Sequence, residues 1–437
     1  MHEDRIERAR VAFFEGVVHF EAQRLPQAHA AFERAYALTP QRPSVLLNLG
    51  VTRVRLARYA DAVPLLAQAV QAEPQSPDGW AALAVAYFEL SQWHMAAPAF
   101  ERAIEQATEQ SSEQASEQAT EQASEKTNEL ANRLAIKPAT RSGVELVPMQ
   151  LQYARCLVRL NRTDDAVAAY RRVLTADGQN VEAWYQLGDL LRDQRQIEHA
   201  VHSYRQALAY GADEQLIHYI LSALGAQAPI LRPPRLYVQG LFDQYAADFD
   251  EHLLGQLAYQ GHSALIEQFP VGALAHFDRV LDLGCGTGLC GALLRHRADW
   301  LEGVDLSPAM IAKAALSHHY DRLNTDDIHD YLQADPSSWN WVLAADVFIY
   351  VGELDRLFAL LAQRLRIGGW LSFTVEASAN ADGVQLLPSL RYAHSKAYLE
   401  ALALQHGFGV VRVTDAPIRF DQGQPVMGQY WHLRNGY

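Results

Sequence analysis

Two carboxylates flanking a run of glycines form the densest chemistry in this 437-residue chain. Asp282 precedes Gly284, Gly286 and Gly288, which stand at alternate positions, and Asp305 follows at the end of the next apolar run, Leu301–Val304. The stretch Arg279–Leu283 is short and mostly apolar, the signature of a central parallel strand. Glycine brings bare backbone close to a ligand because no Cβ intervenes. A helix starting near Thr287–Gly288 presents unpaired N–H groups at the same place. A carboxylate at Asp305 can accept both hydroxyls of a ribose. An acid at Asp282 suits a ligand carrying an ammonium group and suits a pyrophosphate poorly.

Gly286, Gly288 and Gly291 by themselves satisfy the G-x-G-x-x-G dinucleotide pattern, so an NAD site stands as an alternative. The longer pattern Asp-x-Gly-x-Gly-x-Gly, with Asp305-Leu306-Ser307-Pro308-Ala309-Met310 after it, resembles the class I S-adenosylmethionine-dependent methyltransferases. The resemblance covers about residues 237–434 and implies S-adenosyl-L-methionine as cofactor. It places Leu306 against one face of the adenine. It makes Asp327 the acceptor of the adenine amino group and Ile328 the cover of the other face. It also brings Ala345 and Asp346 to the donor's amino-acid portion. A segment similar to the family's lid, Phe242-Asp243-Gln244-Tyr245-Ala246-Ala247-Asp248-Phe249-Asp250, puts Tyr245 near the sulfonium end. Plain helix packing explains those aromatics equally well, since Leu241, Tyr245, Phe249 and Leu253 share one helical face.

Methyl transfer from a sulfonium needs alignment and a dry pocket more than it needs acid–base chemistry. A base is required only for a protonated acceptor. His394 is the candidate, placed after the fifth strand where open α/β sheets bind ligands. Arg391 beside it can hold an acceptor carboxylate. The alternative is that the run Arg391–Ser395 merely caps the next helix. His318, His319, His406 and His432 read as surface or structural residues.

The elements behind these residues divide into two kinds. The C-terminal half, 236–437, alternates strands and helices, as in a Rossmann-like class I methyltransferase with a seven-stranded sheet and helices on both faces. Ser307 and Pro308 start a helix as cap and first residue. The N-terminal half repeats with a period of 34 residues: Gly16, Gly50, Ala84; Ala28, Ala62, Ala96; Phe32, Leu66, Phe100. It resembles the tetratricopeptide repeat (TPR), an α-solenoid of helix–turn–helix units. Units fall at 9–42, 43–76, 77–110, 147–180 and 181–214, which gives 1–110 for repeats one to three and 147–231 for repeats four and five with a capping helix, Glu214–Ala226. Small residues at the crossing let the two helices approach and a bulky residue fill the gap. Pro64 and Pro98 fall inside second helices and cost a backbone bond there. The prolines of 228–235 mark the domain boundary near residue 232.

Between repeats three and four, residues 111–146 form a Glu/Gln/Ser-rich insertion. Seven glutamates from Glu105 to Glu129 face one lysine, Lys126, for a net −6 of the chain's −14. With no apolar stripe the segment reads as a solvated, poorly ordered or weakly helical insertion, a specific acidic docking element being the alternative, and its place divides the array into three units and two. The net acidity, and the absence of prolines in Asp346-Val347-Phe348-Ile349-Tyr350, argue against a DNA substrate. Three cysteines form no disulfide framework or metal site. No apolar run approaches the length of a membrane span or signal peptide, which points to the cytoplasm. The reading is a methyltransferase (EC 2.1.1 type) whose repeats hold a protein or peptide on their concave face. A non-catalytic adaptor with an S-adenosylmethionine sensor domain, and an NAD-dependent oxidoreductase, are the alternatives.

Overall fold

A computed structural model describes residues 2–122, 146–246, 249–270, 276–378, 383–421 and 423–436. The chain forms two compact units, Met1–Ala212 and Asp213–Tyr437.

The first unit is five helix pairs: α1 (His2–Glu21) with α2 (Leu25–Leu38), α3 (Pro43–Arg55) with α4 (Tyr59–Ala72), α5 (Pro77–Glu89) with α6 (Trp93–Gln122), α7 (Leu146–Arg159) with α8 (Thr163–Ala176), and α9 (Val181–Asp193) with α10 (Ile197–Ala209). The glycines at the crossings are there for space. A Cβ on Gly16 or Gly50 would lie 2.6 Å from Phe32 or Leu66, and one on Gly188 would lie 2.8 Å from Tyr204. Each turn between paired helices carries a left-handed residue that is not glycine: Gln23, Ala57, Ser91, Asn161 and Arg195, with φ of 55–60°. The next residue's N–H donates back into the first helix, as from Arg58 to the Arg53 carbonyl at 2.8 Å and from Gln196 to Leu191 at 2.8 Å. This bond is the Schellman closure that satisfies the helix end.

Two expectations for this unit need correction. Helix α6 runs on through the Glu/Gln-rich stretch to Gln122; the rest of the insertion, 123–145, lies outside the described residues. The array is not split either, because α7 packs directly on α6. Cys156 Sγ sits 3.3 Å from the Trp93 carbonyl oxygen, and the Arg159 guanidinium lies 5.9 Å from the Trp93 ring centroid. Pro64 and Pro98 sit inside α4 and α6 without ending them.

The second unit begins with α11 (Glu214–Ala223), which the sequence assigns to the repeat array as its cap. It clusters with the C-terminal residues instead. The Tyr219 hydroxyl donates to the Leu390 carbonyl at 2.9 Å. The proline connector is likewise held down: Tyr392 Oη donates to the Ile230 carbonyl at 2.9 Å, and the Glu353 N–H donates to that of Leu231 at 3.2 Å. Gly352 permits this contact, since a Cβ there would stand 2.2 Å from the Leu231 oxygen.

Beyond the connector come α12 (Arg235–Tyr245), a π-helical turn (Glu251–Gln256) and α13 (Gly261–Glu267). The single long lid helix read from the spacing is therefore broken after Tyr245. The sheet then builds from β1 (Phe277–Leu283), β2 (Ala298–Asp305), β3 (Arg322–Thr325), β4 (Trp339–Ala344) and β5 (Leu365–Ala377). These run parallel in the order β3-β2-β1-β4-β5. A short pair, β6 (Val384–Leu386) and β7 (Tyr392–His394), extends the end of β5. The long hairpin β8 (Phe408–Asp421) and β9 (Gln424–Asn435) closes the other flank of β5 antiparallel. Among the described residues the sheet holds the seven expected strands and, in addition, the short pair. Both sheet faces are buried, as a parallel sheet requires. Leu281 and Leu283 pack with Phe348, Phe358 and Leu399, while Val280 packs with Phe269, Leu294 and Trp341.

Candidate active site

The carboxyl ends of β1, β2 and β4 open onto a cavity of about 550 Å³. This is the place where open α/β sheets bind ligands, and the volume lies within the usual range for small-molecule sites. Gly284, Gly286, Asp305, Leu306, Asp327, Ile328, Ala345, Asp346 and Arg391 all line it. The loop after β1 turns through three left-handed glycines, with φ of 64° at Gly284, 54° at Gly286 and 96° at Gly288. Open space lies beside Gly286. Its N–H donates to Asp305 Oδ2 at 2.9 Å, and the Ser307 N–H donates to Oδ1 at 2.8 Å. Each oxygen of Asp305 is thereby aimed by the main chain and keeps a lone pair for a ligand. Burial raises the Asp305 pKa, against the pull of those two N–H groups.

Ser307 caps the helix α15 (Pro308–Leu316), accepting from the Met310 N–H at 3.1 Å. Asp327 caps α16 (Ile328–Ala334), accepting from the His329 N–H at 2.8 Å and facing its Nδ1 at 3.2 Å. The hydrogen bond from the His329 side chain is the leading reason its pKa sits at about 2. The lid is tied to this floor at two points. Asp243 accepts from the Ser307 hydroxyl and Asp250 from the Thr287 hydroxyl, each at 2.5 Å. Leu241, Phe242, Phe249 and Leu253 form the apolar cover.

Three residues stand elsewhere than the sequence suggests. Asp282 is 1% exposed and does not line the cavity. It lies behind the glycine loop, accepting from the Tyr320 hydroxyl at 2.7 Å, and burial without a cation lifts its pKa to about 7. Gly288 is also set back, at the start of α14 (Leu289–Leu294) and against Tyr320. His394 is fully buried and does not line this cavity. Its Nε2 faces the carbonyls of Val351 at 3.1 Å and Gly352 at 2.8 Å, and burial lowers its pKa to about 4. It pins the chain after β4 to β7, a packing role. The Tyr245 side chain lies outside the described residues.

Several wall residues escape the sequence reading. Arg419, 2% exposed, reaches in from β8; its guanidinium bonds both oxygens of Asp346 at 3.2 Å and also Glu376. Tyr350 accepts from Arg391 Nε at 3.3 Å and meets Phe242 edge-on at 5.1 Å. His262 lines the cavity stacked on Tyr259, ring centroids 5.3 Å apart, and burial lowers its pKa. Cys285 and Cys290 line it as buried thiols whose pKa burial raises, small filler rather than nucleophiles.

Residues 281–371 match the family model of a methyltransferase domain. Residues 19–84, 147–190 and 181–210 match tetratricopeptide repeat models. The peptidyl-prolyl cis-trans isomerase FKBP42 of Arabidopsis thaliana is 32% identical over 84 residues, 19% of this chain and 23% of that protein, so the match spans about a quarter of that relative. Similar solved structures include the N-methyltransferase NodS from Bradyrhizobium japonicum in complex with S-adenosyl-L-homocysteine, at 16% identity and a TM-score of 0.37 over 46% of this chain and 98% of that one. The TPR protein YrrB is similar at 17% identity and a TM-score of 0.36, over 48% of this chain and 89% of that one. Sheet order, glycine loop and family match together define the second unit as a methyltransferase domain. The chain as a whole carries this domain C-terminal to an array of tetratricopeptide repeats.

Proposed function

We propose that the protein is an S-adenosyl-L-methionine-dependent methyltransferase whose repeats recruit a partner or substrate protein. One observation carries the reading: the Asp305 carboxylate, aimed by the N–H groups of Gly286 and Ser307, faces a cavity walled by a glycine loop. That arrangement suits a ribose diol. Leu306 and Ile328 offer apolar faces to an adenine, and Asp327 offers an acceptor to its amino group. Ala345 and Asp346 flank the space left for an amino-acid tail. When bound, the sulfonium donor supplies an already activated methyl group, so these residues need only orient it and exclude water. The lid helix and its two aspartates supply that exclusion. For a protonated acceptor, His262 is a cavity-lining candidate base whose pKa burial lowers. The repeats, packed as continuous helix pairs, provide the kind of stacked surface that holds extended peptides. Among the described residues no helix is long and apolar enough to cross a membrane, and a cytoplasmic site of action fits the three free thiols.

Calorimetry of the full chain with S-adenosylmethionine, S-adenosylhomocysteine and NAD tests the reading. Binding of the first two and not the third is expected. Binding of NAD alone would replace the methyltransferase by an oxidoreductase. A radiolabelled methyl assay on proteins captured by the full chain then separates an enzyme from an adaptor that only senses the donor.

A further inference from the structure

The acceptor half of the cavity contains a guanidinium whose donors are only partly used. Arg391 lines the wall and is half-buried, and its Nε donates to the Tyr350 oxygen at 3.3 Å. Among the described residues its two terminal nitrogens have no hydrogen-bond partner. Arg419 nearby is the opposite case: its fork is spent on both oxygens of Asp346 and on Glu376. The acids that would otherwise draw Arg391 inward are therefore already bonded. Because Tyr350 accepts from Arg391, its own O–H proton is free to point into the same space. The open fork borders the cavity, and a fork of this shape matches a carboxylate in two-point contact. The same cavity also has apolar lining: Phe242, edge-on to Tyr350 at 5.1 Å, with Phe249, Leu253, Tyr259 and Val351.

We infer that the methyl acceptor is an amphipathic carboxylate, its acid group seated on Arg391 and Tyr350 and its apolar body laid against the lid aromatics. The inference rests on the methyltransferase reading and names the substrate class for that same cavity. It replaces His394 by Tyr350 as the functional neighbour of Arg391.

The test uses the full chain saturated with S-adenosylhomocysteine and titrated with phenylacetate or hexanoate, against phenylacetamide and methyl phenylacetate as uncharged controls. The acids should bind about tenfold or more tightly than the controls, the scale of a charge-assisted bond. Arg391→Gln should erase that preference while S-adenosylhomocysteine affinity is kept. Tyr350→Phe, which leaves the guanidinium in place, should weaken acid binding by a smaller factor. Equal binding of acids and amide, no binding of the acids, or full acid affinity in Arg391→Gln would overturn the inference. So would loss of S-adenosylhomocysteine binding in a folded Arg391→Gln protein, since the fork would then serve the donor's own carboxylate. Failure of the wild-type chain to bind S-adenosylhomocysteine at all is a separate result, and it removes the underlying methyltransferase reading.

Discussion

One small device occurs in both units with different outcomes. In the fifth repeat, the Tyr204 ring occupies the space a Cβ of Gly188 would need, and its hydroxyl donates to Asp189 at 2.7 Å. Behind the glycine loop, the Tyr320 ring stands where a Cβ of Gly291 would lie, 2.6 Å away, and its hydroxyl donates to Asp282 at 2.7 Å. In the repeat, Arg192 sits 3.1 Å from Asp189 and balances its charge. Among the described residues Asp282 has no such cation, and burial leaves its pKa at about 7. The repeat thus closes its polar contact for stability. The methyltransferase unit keeps an uncompensated acid beside the loop that faces the cavity, as sites bearing a function tend to do.

Removing the acid tests this contrast most strongly. The folded pKa of Asp282 lies above its unfolded value, so the native state holds a proton the unfolded chain has already lost. Stability therefore falls as pH rises from about 4 to about 7. Asp282→Asn should match the wild type near pH 4 and exceed it by on the order of 4 kcal/mol above pH 8, read by denaturant unfolding. A constant difference across pH would mean the acid is not the uncompensated group. Burial raises the pKa of Asp189 too, so Asp189→Asn should show growth of the same sign with pH, offset at every pH by the lost pair with Arg192.

Asp305→Ala removes both ribose acceptors and loosens the loop. S-adenosylhomocysteine affinity should drop by about 100-fold, two charge-assisted bonds at roughly 1.5 kcal/mol each. A change below threefold by calorimetry would place the ribose elsewhere.

How much of this was legible in the chain depended on distance. The positions of the glycine loop and of Asp305 were readable because they follow from neighbours in sequence: a strand end, left-handed turns and a helix start. The repeats were readable because Gly16, Gly50 and Gly188 recur in register with the bulky residues that fill their places. His394 was misplaced because the carbonyls that occupy it belong to Val351 and Gly352, more than forty positions earlier. Arg419 was invisible for the same reason, its partners Asp346 and Glu376 lying in the turn after β4 and on β5. Asp282 looked like a ligand for an ammonium group; only the position of Tyr320 shows that it faces inward. The boundary at the prolines ignored contacts that fix Ile230 and Leu231 from Tyr392 and Glu353.

Substitutions at glycine separate the units next. Gly188→Ala forces a methyl against Tyr204 and should cost about 1–3 kcal/mol by overpacking, with donor affinity unchanged. Gly286→Ala meets open space, but its left-handed φ should cost about 1 kcal/mol of stability while donor affinity falls. The reverse pattern in unfolding and calorimetry would erase the distinction between a glycine kept for space and one kept for backbone shape. The smallest effect belongs to the repeat turns. Ala57→Gly relieves a left-handed alanine but adds chain entropy, so the midpoint of thermal unfolding should rise by the equivalent of less than about 1 kcal/mol.

The carbonyl of Leu231 against Gly352 has a practical reach. Arg232, Pro233 and Arg235 of the same stretch face the cavity, so the peptide leaving the helical array doubles as masonry of the reaction chamber. A fragment begun at residue 236 would lack part of one wall. A gene fusion or proteolytic cut that preserves the chamber must fall ahead of Asp213.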